Sequence, residues 1–338
     1  MKRAITTAFA LTVLLAICQT APAQQPQLVV ALNGLDPVAL IEGKEAAGKE
    51  EFSATRGRFK YLFANKSNQA KFEAAPERYQ VQRDGECMAM PGVRTNAEIF
   101  KVHDGKIYAF GTLLCRERFT LSPESFLNPK ARSDFKPRNV AILIYQGVEL
   151  LDFAGPGEVF AAAQTIEGQR AFNVYTVAAS AEAITSQGFV KVTPQYTLEN
   201  CPRPDIIVLP GGNTGNVLRD EKLTAWIKAA ARETEVTMSV CNGAYLLARA
   251  GLLNDKKATT HWTAIQGLKR EAPTATVLEN TRFVDNGQVL TTAGVSAGID
   301  GALHVVERLL GRPAAQLTAR YMEYDWQPGK KPQASAVK

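Results

Sequence analysis

Histidine is scarce in this 338-residue chain, with three residues, and cysteine contributes five, so each of these side chains can be weighed singly. Neither sign of charge dominates. The 39 Lys and Arg stand against 33 Asp and Glu, a net +6 that gathers in no basic stripe, so composition gives no support to a nucleic-acid partner. Gly (25) and Pro (17) are at ordinary levels and no long heptad array occurs, which excludes collagen-like, disordered and coiled-coil classes. Beyond the N-terminus no apolar run is long enough to span a bilayer. What is present is 46% hydrophobic, 8% aromatic and 21% charged residues, the composition of a soluble globular protein with enough chain for two cores.

Residues 1–23 read as a leader rather than a buried N-terminal helix: Lys2 and Arg3, an apolar run from Ala4 to Ile17, then the small-x-small pattern Ala21-Pro22-Ala23. Cleavage there predicts a periplasmic or secreted chain free of the membrane, carrying +4 and keeping Cys87, Cys115, Cys201 and Cys241. A polar, basic, Pro-interrupted stretch (131–138) reads as a linker between a first domain over 24–130 and a second over 139–326, with a polar tail over 327–338.

The first domain repeats itself at an offset of 47, with Tyr61 matching Tyr108, Phe63 matching Phe110, Phe72 matching Phe119 and Pro76-Glu77 matching Pro123-Glu124. Each copy predicts a short strand, a helix with an inward aromatic and a Pro-started turn. With the preceding "NGLDPVAL" (33–40), the stretch 30–127 resembles a YHS domain, which implies a small α+β fold of accessory role. Some members of that family bind metal through cysteine, and Cys87 stands where they carry one. Cys87, Cys115 and His103 fall short of the usual four-ligand set, so no metal is expected, and Cys87 and Cys115 are left as packed thiols or a disulfide.

From Asn139 onward apolar strands (139–145, 172–179, 205–212, 236–240, 288–294) alternate with helical patterns (217–232, 243–250, 296–310). This is the pattern of a parallel sheet with helices on both faces, and ligands in such sheets sit at the carboxyl ends of the strands. Cys241 lies where the strand "VTMSV" runs into a helix, the position of a nucleophile elbow, and the helix N-terminus predicts a thiol more acidic than a free one. A buried, inert cysteine is the competing local reading. Asp152 follows the first strand as a helix cap or a catalytic acid, and Gly211-Gly212 follows another strand as a tight turn or an oxyanion cradle.

Taken together, "LDFAGPGEVF", "DIIVLPGG", "SVCNGAYLLARAGLL", "ATTHW" and "GVSAGID" occur in the order of the ThiJ/PfpI family, and residues 138–311 resemble its isonitrile hydratase and regulator-like branch. The resemblance implies a flavodoxin-like, glutamine-amidotransferase-like domain needing no cofactor. It implies Cys241 as nucleophile, Asp152 as its carboxylate partner, the amides of Gly212 and Asn242 at an oxyanion site, and His261 near the pocket. Its members are often homodimers. Asn242 departs from the threonine of the isonitrile hydratases, which bears on the substrate. The function so implied is hydration or hydrolysis of a small molecule; the alternative is a sensor whose thiol is oxidised or binds without turnover. The regulators of this branch append a DNA-binding domain, for which the few residues after Pro313 leave no room.

Overall fold

The computed structural model describes residues 28–129 and 135–328; the expected leader and parts of the expected linker and tail lie outside them. The chain forms two compact units, one of residues up to Gly85 with Val102–Ile107, the other of Glu86–Lys101 with the chain from Tyr108 onward. The division falls inside the segment read as a first domain, so most of the second repeat copy belongs to the larger unit.

In the smaller unit the strands Val29–Val30, Phe59–Phe63 and Lys49–Arg56 form a sheet with Phe59–Phe63 central. Buried Asp36 organises it. Its Oδ1 accepts the amides of Val38 (2.8 Å) and Ala39 (3.2 Å) at the start of the helix Pro37–Ile41, while Oδ2 accepts the Ala64 amide (2.8 Å) and Asn68 Nδ2 (2.7 Å). The Asp-Pro-Val motif therefore caps a helix and fastens it to the end of a strand.

The repeat is present at the expected offset. Strand Phe59–Phe63 with helices Lys66–Ala74 and Pro76–Tyr79 corresponds to strand Lys106–Phe110 with helices Leu113–Leu121 and Glu124–Leu127. Packing repeats as well. Tyr61 and Phe63 lie 4.9 and 5.1 Å from Phe72 between ring centroids, and Tyr108 and Phe110 lie 5.0 and 5.2 Å from Phe119. Alternate strand residues thus close on one helical phenylalanine within each copy.

The larger unit is built on seven strands: β1 (Arg138–Leu143), β2 (Phe172–Ala178), β3 (Tyr196–Thr197), β4 (Ile206–Leu209), β5 (Val236–Val240), β6 (Phe283–Asp285) and β7 (Val289–Thr292), in the order β3-β2-β1-β4-β5-β7-β6. All neighbours are parallel except β6, which pairs antiparallel with β7 at the edge. Helices α1 (Leu150–Ala162), α2 (Glu221–Ala230), α3 (Ala244–Arg249), α4 (Ala297–Leu310) and α5 (Arg312–Tyr321) flank it. The architecture is the expected mixed α/β fold, with the edge strand as a local departure: three residues, Asn286–Gln288, separate β6 from β7, too few for a parallel crossover. Every residue of β4, β5 and β7 is buried, Thr237, Ser239, Thr291 and Thr292 included, as strands covered on both faces require. Among the described residues no helix is long and apolar enough to cross a membrane.

Candidate active site

β5 ends at Val240, and the chain makes one 3-10 turn, Cys241–Gly243, before α3. Cys241 is held at φ 59°, a left-handed conformation that costs a side-chain-bearing residue about 1–2 kcal/mol. Two features maintain it. The Thr260 hydroxyl donates to the Cys241 carbonyl at 2.8 Å, and Gly243 lies so close to the end of β4 that a Cβ there would stand 2.1 Å from the Leu209 carbonyl oxygen. Strain of this kind at a strand-to-helix turn points a side chain toward the strand ends.

Asp152 is the third residue of α1 and fully buried. It does not cap its own helix. Oδ2 accepts the Gly211 amide at 3.0 Å and Oδ1 the Val295 amide at 2.7 Å, and the carboxylate is also hydrogen-bonded to the Cys241 thiol. Gly211 follows β4, Cys241 follows β5 and Val295 follows β7, so one carboxylate joins the ends of three strands. The left-handed pair Gly294 (φ 114°) and Val295 (φ 49°) turns the last of these amides inward.

Burial pushes the Asp152 carboxyl up to about 6, opposed by the two amides and reinforced by the negative charge of Glu149. Burial likewise pushes the Cys241 thiol up to about 12, with the Asp152 charge adding to it and the Asn242 amide opposing. The expected acidic thiol is therefore corrected: enclosure and the neighbouring carboxylate outweigh the short helix start. Both groups favour their protonated forms in the fold, so stability falls as pH rises past the ordinary carboxyl value of 3.8 toward about 6, and again above the ordinary thiol value of 9.0. At neutral pH the pair is a thiol donating to a carboxylate. Iodoacetamide alkylation of Cys241 is expected to show a pH midpoint above the free-thiol value of about 8.5, and Asp152→Asn should move it downward by removing the adjacent charge. A wild-type midpoint below the free-thiol value would contradict this electrostatic picture.

The expected oxyanion pair also changes. The Gly212 amide donates to Asn242 Oδ1 at 2.8 Å, while Asn242 Nδ2 donates back to the Gly212 carbonyl at 2.9 Å. With the Gly211 amide on Asp152, the backbone donor that meets the Cys241 sulfur is that of Asn242. His261 bonds the Thr263 hydroxyl through Nδ1 at 2.8 Å, and its ring lies 5.7 Å from Trp262. Its neighbour Thr260 is the residue that touches the elbow. Gly294 and Val295 open the motif "GVSAGID" but were given no role from the sequence; the signal was a glycine just past an apolar strand, the same signal that marked Gly211. Among the described residues no three His, Cys, Asp or Glu side chains gather as a metal site.

A model of the DJ-1/PfpI family matches residues 138–308, just over half of the chain. The chain belongs to the DJ-1/PfpI family. Among its relatives, the isonitrile hydratase of Pseudomonas putida is 34% identical over 187 residues, covering 55% of this chain and 78% of that protein. The HTH-type transcriptional regulator GbdR of Pseudomonas aeruginosa is 22% identical over 189 residues, and the chain spans 51% of its length. A solved ThiJ/PfpI family protein from Pseudomonas syringae superposes with a TM-score of 0.52 at 28% identity, covering 60% of this chain and 86% of that one.

Proposed function

We propose that the protein is a cysteine-dependent hydratase converting an isonitrile and water into an N-substituted formamide, with Cys241 as nucleophile and Asp152 as the proton carrier. The observation that carries this reading is the Asp152 carboxylate, fixed by the Gly211 and Val295 amides and accepting the Cys241 thiol. Asp152 takes the thiol proton as sulfur adds to the terminal isonitrile carbon, and returns it to that same carbon, giving an S–CH=N–R thioimidate. Water adds to this carbon, the C–S bond breaks, and the formamide leaves with Cys241 reprotonated.

The same geometry favours this reaction over amide hydrolysis. Acyl transfer develops an oxyanion and requires free donors aimed at it, whereas the amides of Gly211 and Gly212 already serve Asp152 and Asn242. Addition to an isonitrile develops charge on carbon and requires a proton instead. A sensing thiol is the weaker reading, since oxidation runs through the thiolate and Cys241 is held as a thiol. The basic start, apolar run and Ala21-Pro22-Ala23 support export with a mature N-terminus near Gln24.

Purified protein offered isonitriles, α-oxoaldehydes and amides is expected to yield formamide from the isonitriles alone, followed by proton NMR. kcat/KM should rise through an acid limb near pH 6 as Asp152 ionises, and Cys241→Ser should abolish turnover. Cys241-dependent turnover of only the other substrates, or of none, would sink the proposal.

A further inference from the structure

β4 lies between β1 and β5. Beyond its end at Leu209 the chain keeps the hydrogen-bonding habit of a strand over residues 211–213. On the β1 side, Val148 and Gly212 form an isolated antiparallel bridge. The Glu149 amide donates to the Gly211 carbonyl and the Asn213 amide to the Gly147 carbonyl, each at 2.9 Å. Gly211 and Asn213 therefore bond to one side. Gly212, between them, bonds to the other, as alternation along a strand requires.

On that other side β5 has already ended at Val240 and turned into the elbow. The Asn242 side chain supplies the missing rung. Oδ1 accepts the Gly212 amide at 2.8 Å, Nδ2 donates to the Gly212 carbonyl at 2.9 Å, and the Thr214 hydroxyl lies 3.5 Å from Nδ2. A carboxamide sets an acceptor and a donor side by side, as a strand backbone does. A hydroxyl is a single atom, and a carboxylate would turn a second oxygen toward the Gly212 carbonyl. The fit is close: a Cβ on Gly211 would stand 2.2 Å from Asn242 Oδ1 and 2.8 Å from Cys241 Cβ.

The Gly212 amide is thus next to the glycine that touches Cys241, where acyl transfer at the thiol would use it as an oxyanion donor. Asn242 has filled that place with an oxygen of its own. We propose that Asn242 is a specificity-determining residue, a built-in occupant that withdraws the Gly212 amide from substrate oxygens and restricts Cys241 to additions that develop no oxyanion. The inference rests on the reading of Cys241 as a nucleophile given above, and it names the substrates turned away: esters, thioesters and amides, whose carbonyl oxygen takes up the charge. Removing the carboxamide returns one donor to the site.

The test compares two reactions of Cys241 in the full-length protein at one pH, with the Cys241→Ser rate subtracted from each. One is acetylation by p-nitrophenyl acetate. Sulfur adds to the ester carbonyl as Asp152 takes the thiol proton, and the oxyanion so formed collapses as the bond to p-nitrophenolate breaks. The products are S-acetyl Cys241 and p-nitrophenolate, with the proton passing from Asp152 to water. The other is alkylation by iodoacetamide, in which sulfur displaces iodide and no oxyanion arises. Both rates scale with the same thiolate fraction, so their ratio reports the oxyanion donors.

In Asn242→Ala the ratio of acetylation to alkylation is expected to rise by about tenfold or more, a part of the roughly 10²–10³-fold that one such donor supplies in a site built around it. Asn242→Ser, whose hydroxyl stops a bond short of the Gly212 amide, should move it the same way. Asn242→Asp keeps an acceptor on that amide and should leave the ratio at the wild-type value. A ratio unchanged in both the Ala and Ser variants, or raised equally in the Asp variant, would overturn the proposal. Neither rate involves an isonitrile, so a ratio that rises as expected upholds the lock even in a protein that hydrates none.

Discussion

Replacing Asp152 with asparagine is expected to lower kcat/KM for an isonitrile by roughly 10²–10⁴-fold, the range of a lost general acid–base group. In the proposed reaction Asp152 both removes the thiol proton and delivers it to carbon, and an amide can do neither. The substitution also acts on structure. Asp152 spends its two oxygens on the Gly211 and Val295 amides, while asparagine offers one acceptor and turns an NH₂ toward the other amide, at a cost of about 1–3 kcal/mol. The pH profile separates these effects. If Asp152 carries the proton, the acid limb near pH 6 disappears from the residual activity and the Cys241 alkylation midpoint falls. A variant that loses activity yet keeps the limb would reduce Asp152 to a strut between strand ends, and another group would have to carry the proton.

Local signals in the sequence were enough to locate Cys241 at its elbow. An apolar strand running straight into a helix marks Cys241, and the left-handed turn at that residue is the backbone consequence. The repeat was legible for a similar reason: period-two aromatics followed by a helical phenylalanine are a local pattern, and both copies fold alike. Asp152 was legible as a helix cap or a carboxylate partner of Cys241, but not in the bonds that hold it. A cap is satisfied within one turn, whereas its actual partners lie 59 and 143 residues away. The Gly212 amide was misassigned because no spacing rule reveals that the Asn242 side chain folds back onto it. Thiol acidity reversed in sign because a helix start is local, whereas the enclosure of Cys241 comes from the whole sheet end. Cys87 and Cys115 were left as packed thiols or a disulfide because how a hairpin and a helix pack together is not a local signal; both are buried and unbonded.

The loop after β7 provides the second large effect. Gly294→Ala is expected to cost about 3 kcal/mol or more, near the top of the range for inserting a methyl into filled space. At φ 114° Gly294 occupies backbone space that side-chain-bearing residues rarely enter, and a Cβ there would lie 2.6 Å from Cys241 Cβ, 2.8 Å from its Cα and 3.0 Å from its sulfur. Only the sulfur is at the end of a side chain, and turning it relieves neither the Cα nor the Cβ contact, so the loop has to move instead. Moving it carries the Val295 amide away from Asp152 and loosens the carboxylate beside the thiol. Gly188→Ala is the control: φ is 79° but no atom lies within 4 Å of the new methyl, so only the backbone strain of about 1 kcal/mol applies. Urea unfolding of the two variants should differ by about 2 kcal/mol, the gap between the overpacking and backbone costs. Only Gly294→Ala should lose turnover and alter Cys241 alkylation. Equal urea midpoints with turnover intact in both would mean that the loop yields freely, and that the Val295 amide is not what holds Asp152 in place.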